Sequence, residues 1–341
     1  MHRVMVRTLR GLEAVARTEV HQLLGGVRVA VEHRTLRFAL SRLDPRLLAL
    51  GTVDDAFLVL GEADAIRRGR SALDGLSMLA RSIDASGALA IETLRPLPRP
   101  IAFDVTASFI GRRDYSRFEA EDRVGTAIAG ATGWTYRARG PLAPAGTTSL
   151  SFRVHMLHTA ATLAVRLAER PLHRRAYRMR SRPGALHPPL ARALCLVAEP
   201  APGGLLVDPT CGVGTIPIEG ALFEPRTSVA GFDLEPSAVS AARCNARRAG
   251  TFVCLAVADA MHLPLDDHSV DRLVVNPPWG ATVAAGGRLR RRPHALWTEA
   301  SRVLAPGGRL VALLPAASEL RGAEVVAHVR VRGAEAVIVT R

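Results

Sequence analysis

Apolar and polar positions change in short runs along the first sixty residues. VMVRTL (4–9), VRVAVE (27–32) and TLRFAL (35–40) alternate residue by residue, the period of a strand with one buried face. Between them, LEAVARTEVHQLL (12–24) sets Leu12, Val15, Val20, Leu23 and Leu24 near one side of a helix. DDAFLVLGE (54–62) reads as a further strand, and together these elements predict a compact α+β unit over residues 1–65. A second unit is expected over 66–170. It opens with a helix over about 70–82 and the proline-bounded segment LRPLPRP. IAFDVTASFIG (101–111) and TTSLSFRVHML (147–157) are strand-like, and RRDYSRFEAEDRVGTAIAGATG (112–133) passes from loop into helix.

From residue 185 onward strands and helices alternate. LLVDP (205–209), TSVAGFDLE (227–235), TFVCLAVAD (251–259), DRLVVNPP (271–278) and RLVALLP (309–315) are the strands. PSAVSAARCNARRAG (236–250) and HALWTEASRVL (294–304) are helices, each with a glycine-containing stop. VVAHVRV and AEAVIVT, within 325–340, form a closing hairpin. This order predicts an α/β domain over 171–341, with a mostly parallel sheet covered by helices and an antiparallel edge.

Three of those strands end in acids: Asp208, Asp233 and Asp259. In a parallel sheet they share one edge, where open α/β sheets bind ligands. The loop TCGVGTIPIEGA (210–221) follows the first acid, and its Gly212 and Gly214 let backbone approach a ligand closely. It is not the phosphate-binding G-x-x-x-x-G-K-[ST]. Pro217 also stands where G-x-G-x-x-G needs glycine. An acid at 208 disfavours a pyrophosphate and suits a ligand with a positive amino group, such as the methionine part of S-adenosylmethionine. Asp233 can accept from ribose hydroxyls. Asp259 can accept from an exocyclic adenine amine, with Met261 over the ring. Any one acid at a strand end is commonplace; three beside a glycine loop are not.

The fourth strand runs into NPPWG (276–280) at the same edge. The Asn276 amide oxygen can accept from an N–H. Pro277 has a fixed φ and no N–H, and Pro278 holds Pro277 out of the helical region. Carbonyls here are therefore free to point into a cleft. Two acceptors around a planar amine would hold its hydrogens and stabilise the charge that develops as the nitrogen is methylated. Trp279 offers a face on which a base can stack. None of the four cysteines (Cys195, Cys211, Cys244 and Cys254) lies in this stretch, which disfavours cysteine-mediated carbon methylation.

Charge adds a partner. The 341 residues carry a formal charge of +14, and all 45 basic residues are arginine. Compositional drift explains part of that, so clustering decides. Residues 166–182 hold Arg166, Arg170, Arg174, Arg175, Arg178, Arg180 and Arg182 against the single acid Glu169, with Tyr177 among them. Arginine forks fit phosphates and tyrosine can stack on bases, so this patch is read as RNA-binding. Arg288, Arg290, Arg291 and Arg292 form a second basic cluster after the NPPWG loop. No C-x-x-C pair is present, so neither a zinc cluster nor a disulfide scaffold is expected, and no metal is assigned. There is no signal-like apolar run at the start and no uncharged stretch of ~18 residues, so a cytoplasmic protein without membrane spans is expected.

Four stretches resemble the THUMP-domain RNA guanine-N2 methyltransferases, which are class I S-adenosylmethionine-dependent enzymes. They are RTLRGLEAVARTEV (7–20), ASFIGRRDYSRFEAEDRVGTAI (107–128), RPLHRRAYRMRSRPGALHPPLARAL (170–194), and DPTCGVGTIPIEGA (208–221) with NPPWG. The resemblance covers essentially the whole chain. It implies a ferredoxin-like α+β domain at 1–65, a THUMP RNA-binding domain at 66–170, and a Rossmann-like methyltransferase domain with a seven-stranded sheet at 171–341. It implies that Asp208, Gly212 and Gly214 cradle the methionine part, with Thr210, Cys211 and Thr215 in the same loop. Asp233 with Leu234 would hold ribose, Asp259 with Ala260 adenine, and Asn276, Pro277, Pro278 and Trp279 the base amine. His187, Pro188 and Pro189 fall where the family's helix covers the cofactor. The implied substrate is structured RNA, with tRNA expected. N6-adenine methylation and a non-catalytic RNA-binding role are the alternatives. Trp279 replaces the family's usual tyrosine or phenylalanine, and ATVAAGG (281–287) lacks the basic residue many members carry there.

Overall fold

The computed structural model describes residues 1–139, 148–278, 292, 294–316, 318, 320–331 and 333–341. They form two compact units. The first comprises Met1–Arg7, Leu23–Leu50 and Asp55–Leu172; the second comprises Thr8–Gln22, Gly51–Asp54 and His173–Arg341.

The first unit contains β1 (His2–Arg7), β2 (Ala30–Glu32), β3 (Thr35–Leu40), β4 (Asp55–Ala63), β5 (Ala102–Ile110), β6 (Thr135–Tyr136), β7 (Leu150–Leu157) and β8 (Ala160–Arg166). They make one eight-stranded sheet in the order β2-β3-β1-β4-β8-β7-β5-β6. The sheet runs unbroken across residue 65, because β4 pairs with β1 on one side and β8 on the other. The regions expected as 1–65 and 66–170 therefore share one set of backbone hydrogen bonds. Helix α1 (Glu13–Leu24) follows β1; α2 (Ala72–Arg81), α3 (Ala85–Leu89) and α4 (Arg117–Thr132) follow β4 and β5.

The start of α4 is fixed locally. The Ser116 hydroxyl accepts from the Glu119 amide at 3.2 Å, and the Glu119 carboxylate accepts from the Ser116 amide at 2.8 Å. These reciprocal bonds satisfy two amides that the helix leaves unpaired. Gly125 lies under the Tyr136 ring, which a Cβ at this position would meet at 2.3 Å. Strand β8, with its alanine-rich sequence AATLAVR, and the two-residue β6 have too little hydrophobic contrast to stand out by periodicity.

The second unit holds β9 (Leu205–Asp208), β10 (Ser228–Asp233), β11 (Cys254–Val257), β12 (Val270–Val275), β13 (Leu304–Pro315), β14 (Glu324–Val331) and β15 (Ala334–Thr340). Their order is β11-β10-β9-β12-β13-β15-β14. β9 to β13 are parallel, whereas β15 pairs antiparallel with both β13 and β14, as the hairpin pattern predicts. The strand order reverses between β9 and β12, and open α/β sheets bind their ligands at the carboxyl ends of strands at such a reversal. Helices α5 (Pro188–Ala198), α6 (Thr215–Phe223), α7 (Pro236–Ala249) and α8 (His294–Val303) complete the unit.

Neighbouring strand residues feed different cores. Leu206, Val274, Val311 and Ile338 pack in a core with Leu190 and Leu194 of α5. Val207, Leu273, Val275 and Leu310 pack in another with Leu296 and Val303 of α8. Burial on both faces is why these strands read as continuous apolar runs. Leu12 and Val15, beside and on α1, belong to the α5 core. Gly11 permits this: a Cβ there would lie 1.7 Å from the His328 carbonyl oxygen.

A polar clasp completes the second unit. Glu219 on α6 is wholly buried. It accepts from Arg175 Nε at 2.8 Å, Tyr177 Oη at 2.8 Å and Arg192 Nε at 3.2 Å. Arg175 Nη2 also donates to the Gly51 carbonyl at 2.7 Å. Glu19 of α1, also buried, accepts from the amides of Gly51 and Thr52 and from the Thr52 hydroxyl at 2.6 Å. One buried carboxylate, Glu219, thus faces two shielded guanidiniums. Burial pulls the Arg175 guanidinium down, but the charge and hydrogen bonds of Glu219 hold it above its ordinary value. Among the described residues no helix is long and apolar enough to cross a membrane, and no group of His, Cys, Asp and Glu side chains could hold a metal ion.

Replacing Glu219 by glutamine leaves two buried guanidiniums without a counter-charge. Glu219→Gln is expected to lower stability by about 3–5 kcal/mol, read from the urea unfolding midpoint. Tyr177→Phe, which removes a single hydrogen bond to a charged group, should cost about 1.5–3 kcal/mol.

Candidate active site

The site is built at the carboxyl ends of β9, β10 and β12. Asp208 closes β9 and is only 1% exposed. Its Oδ1 accepts from the Thr210 amide at 3.0 Å. Burial raises this carboxyl to about 8, and the nearby Asp233 charge adds to the effect. The glycine loop is then stitched to β10 by the Cys211 amide, which donates to the Phe232 carbonyl at 2.7 Å. Gly231 makes room for that approach, since a Cβ there would meet Pro217 at 2.9 Å and Cys211 at 3.0 Å. Pro217 is tolerated because it sits in the first turn of α6, where no intrahelical N–H bond is lost. Burial pushes the Cys211 thiol well up, so it packs as a neutral group.

Both expected loop glycines have positive φ, +54° at Gly212 and +82° at Gly214. They serve different ends. Gly214 caps α6, and a Cβ there would come within 3.0 Å of the Ala242 side chain on α7. Gly212 has open space where its Cβ would be, with no atom within 4 Å, and its amide donates to Asp233 Oδ2 at 2.8 Å. The other oxygen of Asp233 accepts from the Glu235 amide at 2.9 Å. Each oxygen therefore keeps one lone pair for a ligand. Leu234 beside it is 49% exposed.

Asp259 lies two residues beyond the end of β11, a strand shorter than its sequence suggests. Its Oδ1 accepts from the Met261 amide at 3.0 Å, and Ala260 and Met261 are buried next to it. Asn276 follows β12 directly, half-buried, and its carbonyl accepts from the Thr210 hydroxyl at 3.3 Å. The glycine loop and the exit of β12 are thereby joined. The side-chain amide of Asn276 makes no hydrogen bond to a described residue. Thr215 is buried at the first turn of α6. Pro277 and Pro278 are half-buried, whereas Trp279 lies outside the described residues.

These features fit S-adenosylmethionine. Gly212 leaves room above the loop, Asp208 offers a buried carboxyl for a cationic amino group, and Asp233 and Asp259 present carboxylates to hydroxyl and amine donors. The proton that Asp208 holds would leave as the ligand's positive charge arrives.

The arginine-rich segment is corrected in two places. Arg175 and Tyr177, expected on RNA, turn inward to Glu219. Tyr177 is only 5% exposed, so it has no ring face for a base, and burial together with Glu219 pushes its phenol up. Arg166 is likewise committed, to Asp55 at 2.7 Å. Arg174, Arg180 and Arg182 are exposed, and half-buried Arg178 reaches the Ser181 hydroxyl at 3.3 Å. Of the second cluster only Arg292 is described, and it is exposed; Arg288, Arg290 and Arg291 lie outside the described residues. His187, at the start of α5, bonds Asp54 at 2.7 Å, while Pro188 and Pro189 are buried. Sequence reasoning missed Asn245 of α7 and the Thr210 bridge. A lone asparagine in an amphipathic helix gives no signal of its own.

A parallel sheet reversing between β9 and β12, a glycine loop, and acids at adjoining strand ends define a class I S-adenosylmethionine-dependent methyltransferase. Comparison with known proteins agrees. The RMKL-like methyltransferase domain model of the UPF0020 family matches residues 175–339. The tRNA (guanine(6)-N2)-methyltransferase of Thermus thermophilus is 35% identical over 240 residues, covering 66% of this chain and 68% of that protein. The U6 snRNA (guanine-N(2))-methyltransferase THUMPD2 of Bos taurus is 31% identical over 193 residues, 56% of this chain but only 36% of that protein. The crystal structure of TrmN from Thermus thermophilus superposes with a TM-score of 0.76 at 26% identity, covering 100% of this chain and 99% of that one. The chain belongs to this UPF0020/TrmN family of methyltransferases.

Asp208 gives the site a pH signature. Its folded pKa of about 8 exceeds the ordinary aspartate value of 3.8. Between these values the folded protein keeps a proton that the unfolded chain has released. This group's contribution to stability therefore falls as pH rises through that window, by up to about 1.4 kcal/mol per pH unit. Urea midpoints from pH 5 to 8 should lose that slope in Asp208→Asn.

Proposed function

We propose that the protein methylates the exocyclic N2 amine of a guanine in structured RNA, with tRNA as the substrate. The observation that carries this reading is Asn276: its carbonyl is tied to Thr210 of the glycine loop, at the edge that also bears Asp208 and Asp233. An amide and two prolines at the cofactor edge suit a planar amine. The choice of guanine in tRNA is supported by the name of the 35% identical Thermus relative.

Bound at this edge, S-adenosylmethionine supplies a methyl group on a sulfonium, ready for direct displacement. Asp233 and Asp259 orient the nucleoside half. Asp208, losing its proton, meets the amino group. The Asn276 amide oxygen, with the backbone carbonyl at Pro277, accepts the two hydrogens of the guanine amine. That turns the nitrogen lone pair toward the methyl and stabilises positive charge as the new bond forms. The bound cofactor would supply the methyl group and keep the bonding electron pair on sulfur, and the extra amine proton would leave to solvent. A base in a helix cannot reach this edge while stacked, so the target guanine must be unpaired or flipped out. Exposed Arg174, Arg180 and Arg182 offer forks for the flanking phosphates.

Unmodified tRNA, treated with purified protein and methyl-labelled cofactor, should yield N2-methylguanosine on nucleoside analysis. N6-methyladenosine instead would overturn the assignment. Position 6 is the first to map, since the Thermus relative is named for it. Asn276→Ala should lower kcat by about 10²-fold or more while cofactor affinity stays near wild type. Asp233→Asn should weaken cofactor binding first, which titration calorimetry can read.

A further inference from the structure

Asn245 is 1% exposed, and its side chain makes four hydrogen bonds. Its Oδ1 accepts from the amides of Met179 at 3.0 Å and Arg180 at 2.9 Å. Its Nδ2 donates to the carbonyls of Arg180 and Val213, each at 3.0 Å. An asparagine amide offers two donor hydrogens and an oxygen with two lone pairs, so all of its capacity is used. Two of its three partner residues belong to the arginine-rich segment. The third is the residue between Gly212 and Gly214. The same face of α7 carries Ala242, whose side chain a Cβ at Gly214 would meet at 3.0 Å. Tyr177, from the arginine-rich segment, packs with Cys211, Ala242 and Ala246 in one small cluster.

We propose that Asn245 is a positioning residue that couples the two substrates' binding sites. It fixes the backbone of the arginine-rich segment to the glycine loop, so that ordering the loop on the cofactor also orders exposed Arg180 and Arg182 for the RNA backbone. This rests on the function proposed above. The physical basis is that one buried amide cannot keep four partners unless both strands of chain hold still together. Whichever ligand first immobilises its own side bears the ordering cost, and the second binds more tightly. The coupling must be reciprocal.

The test uses the full-length protein, S-adenosylhomocysteine as an unreactive cofactor probe and an unmodified tRNA transcript. The wild type should bind the transcript about fivefold or more tightly when S-adenosylhomocysteine is present. In Asn245→Ala that ratio should fall to about one, with KM for RNA rising far more than kcat falls. Asn245→Asp keeps the acceptor for Met179 and Arg180 but loses both donors, so it should retain RNA affinity while losing the coupling. A folded Asn245→Ala with the wild-type ratio overturns the proposal, as does a wild type without coupling. Should the alanine variant fail to fold, amide hydrogen exchange on the wild type decides. Exchange at Met179 and Arg180 must slow when S-adenosylhomocysteine binds, and unchanged exchange overturns the proposal. Arg180→Ala combined with Arg182→Ala should weaken transcript binding and reduce its salt slope by about two. Unchanged affinity there removes RNA from the segment and so overturns the coupling, while N2-methylguanosine formation still decides the chemistry.

Discussion

A single carboxylate, Glu219, sets the arrangement of the methyltransferase unit. It has no access to water and is held by Arg175, Arg192 and Tyr177. A lone buried charge is intolerable, so the two guanidiniums must come to it and stay. That demand draws in the segment 173–187, helix α5 and helix α6 together. It reaches further through Arg175, which also grips the Gly51 carbonyl. Gly51 has to be glycine for this to work, because a Cβ would lie 2.3 Å from Arg192 Nε. Glu19 secures the same turn from its other side.

The glycine loop is bonded to β10 through Cys211 and Gly212, to β12 through Thr210, and to α7 through Val213. The carboxylates of Asp208, Asp233 and Asp259 each accept from a nearby backbone amide. At Gly212 a Cβ would meet no atom within 4 Å. The acidic edge stays unstrained without a ligand because Asp208 is able to hold a proton there.

Much of this was legible in sequence. Strand–helix alternation, acids at strand ends and the final hairpin follow from local periodicity, and periodicity survives wherever a strand is buried on both faces. What was not legible is non-local. The pairing of Leu58 with Val165 merges the two N-terminal regions into one sheet, and no local pattern announces a partner a hundred residues away. Arg175 and Tyr177 look like surface RNA-binders until Glu219, 44 residues on, is seen to be buried against them. Asp259 was placed at a strand end, but β11 stops at Val257. A turn held by the Asp259 carboxylate and the Met261 amide carries the acid onward.

The membership of Thr8–Gln22 in the methyltransferase unit bears on how the chain is made. Leu12 and Val15 are made well before α5, yet they share its core, and Gly11 fits under His328, more than 300 residues further along. Domains usually fold in order of synthesis. Here the Glu19 side of α1 meets Gly51 and Thr52 soon after it is made, whereas the Leu12 and Val15 side has its α5 partners only some 175 residues later. That apolar side must wait in solvent, or in the care of a chaperone, for α5 to be made.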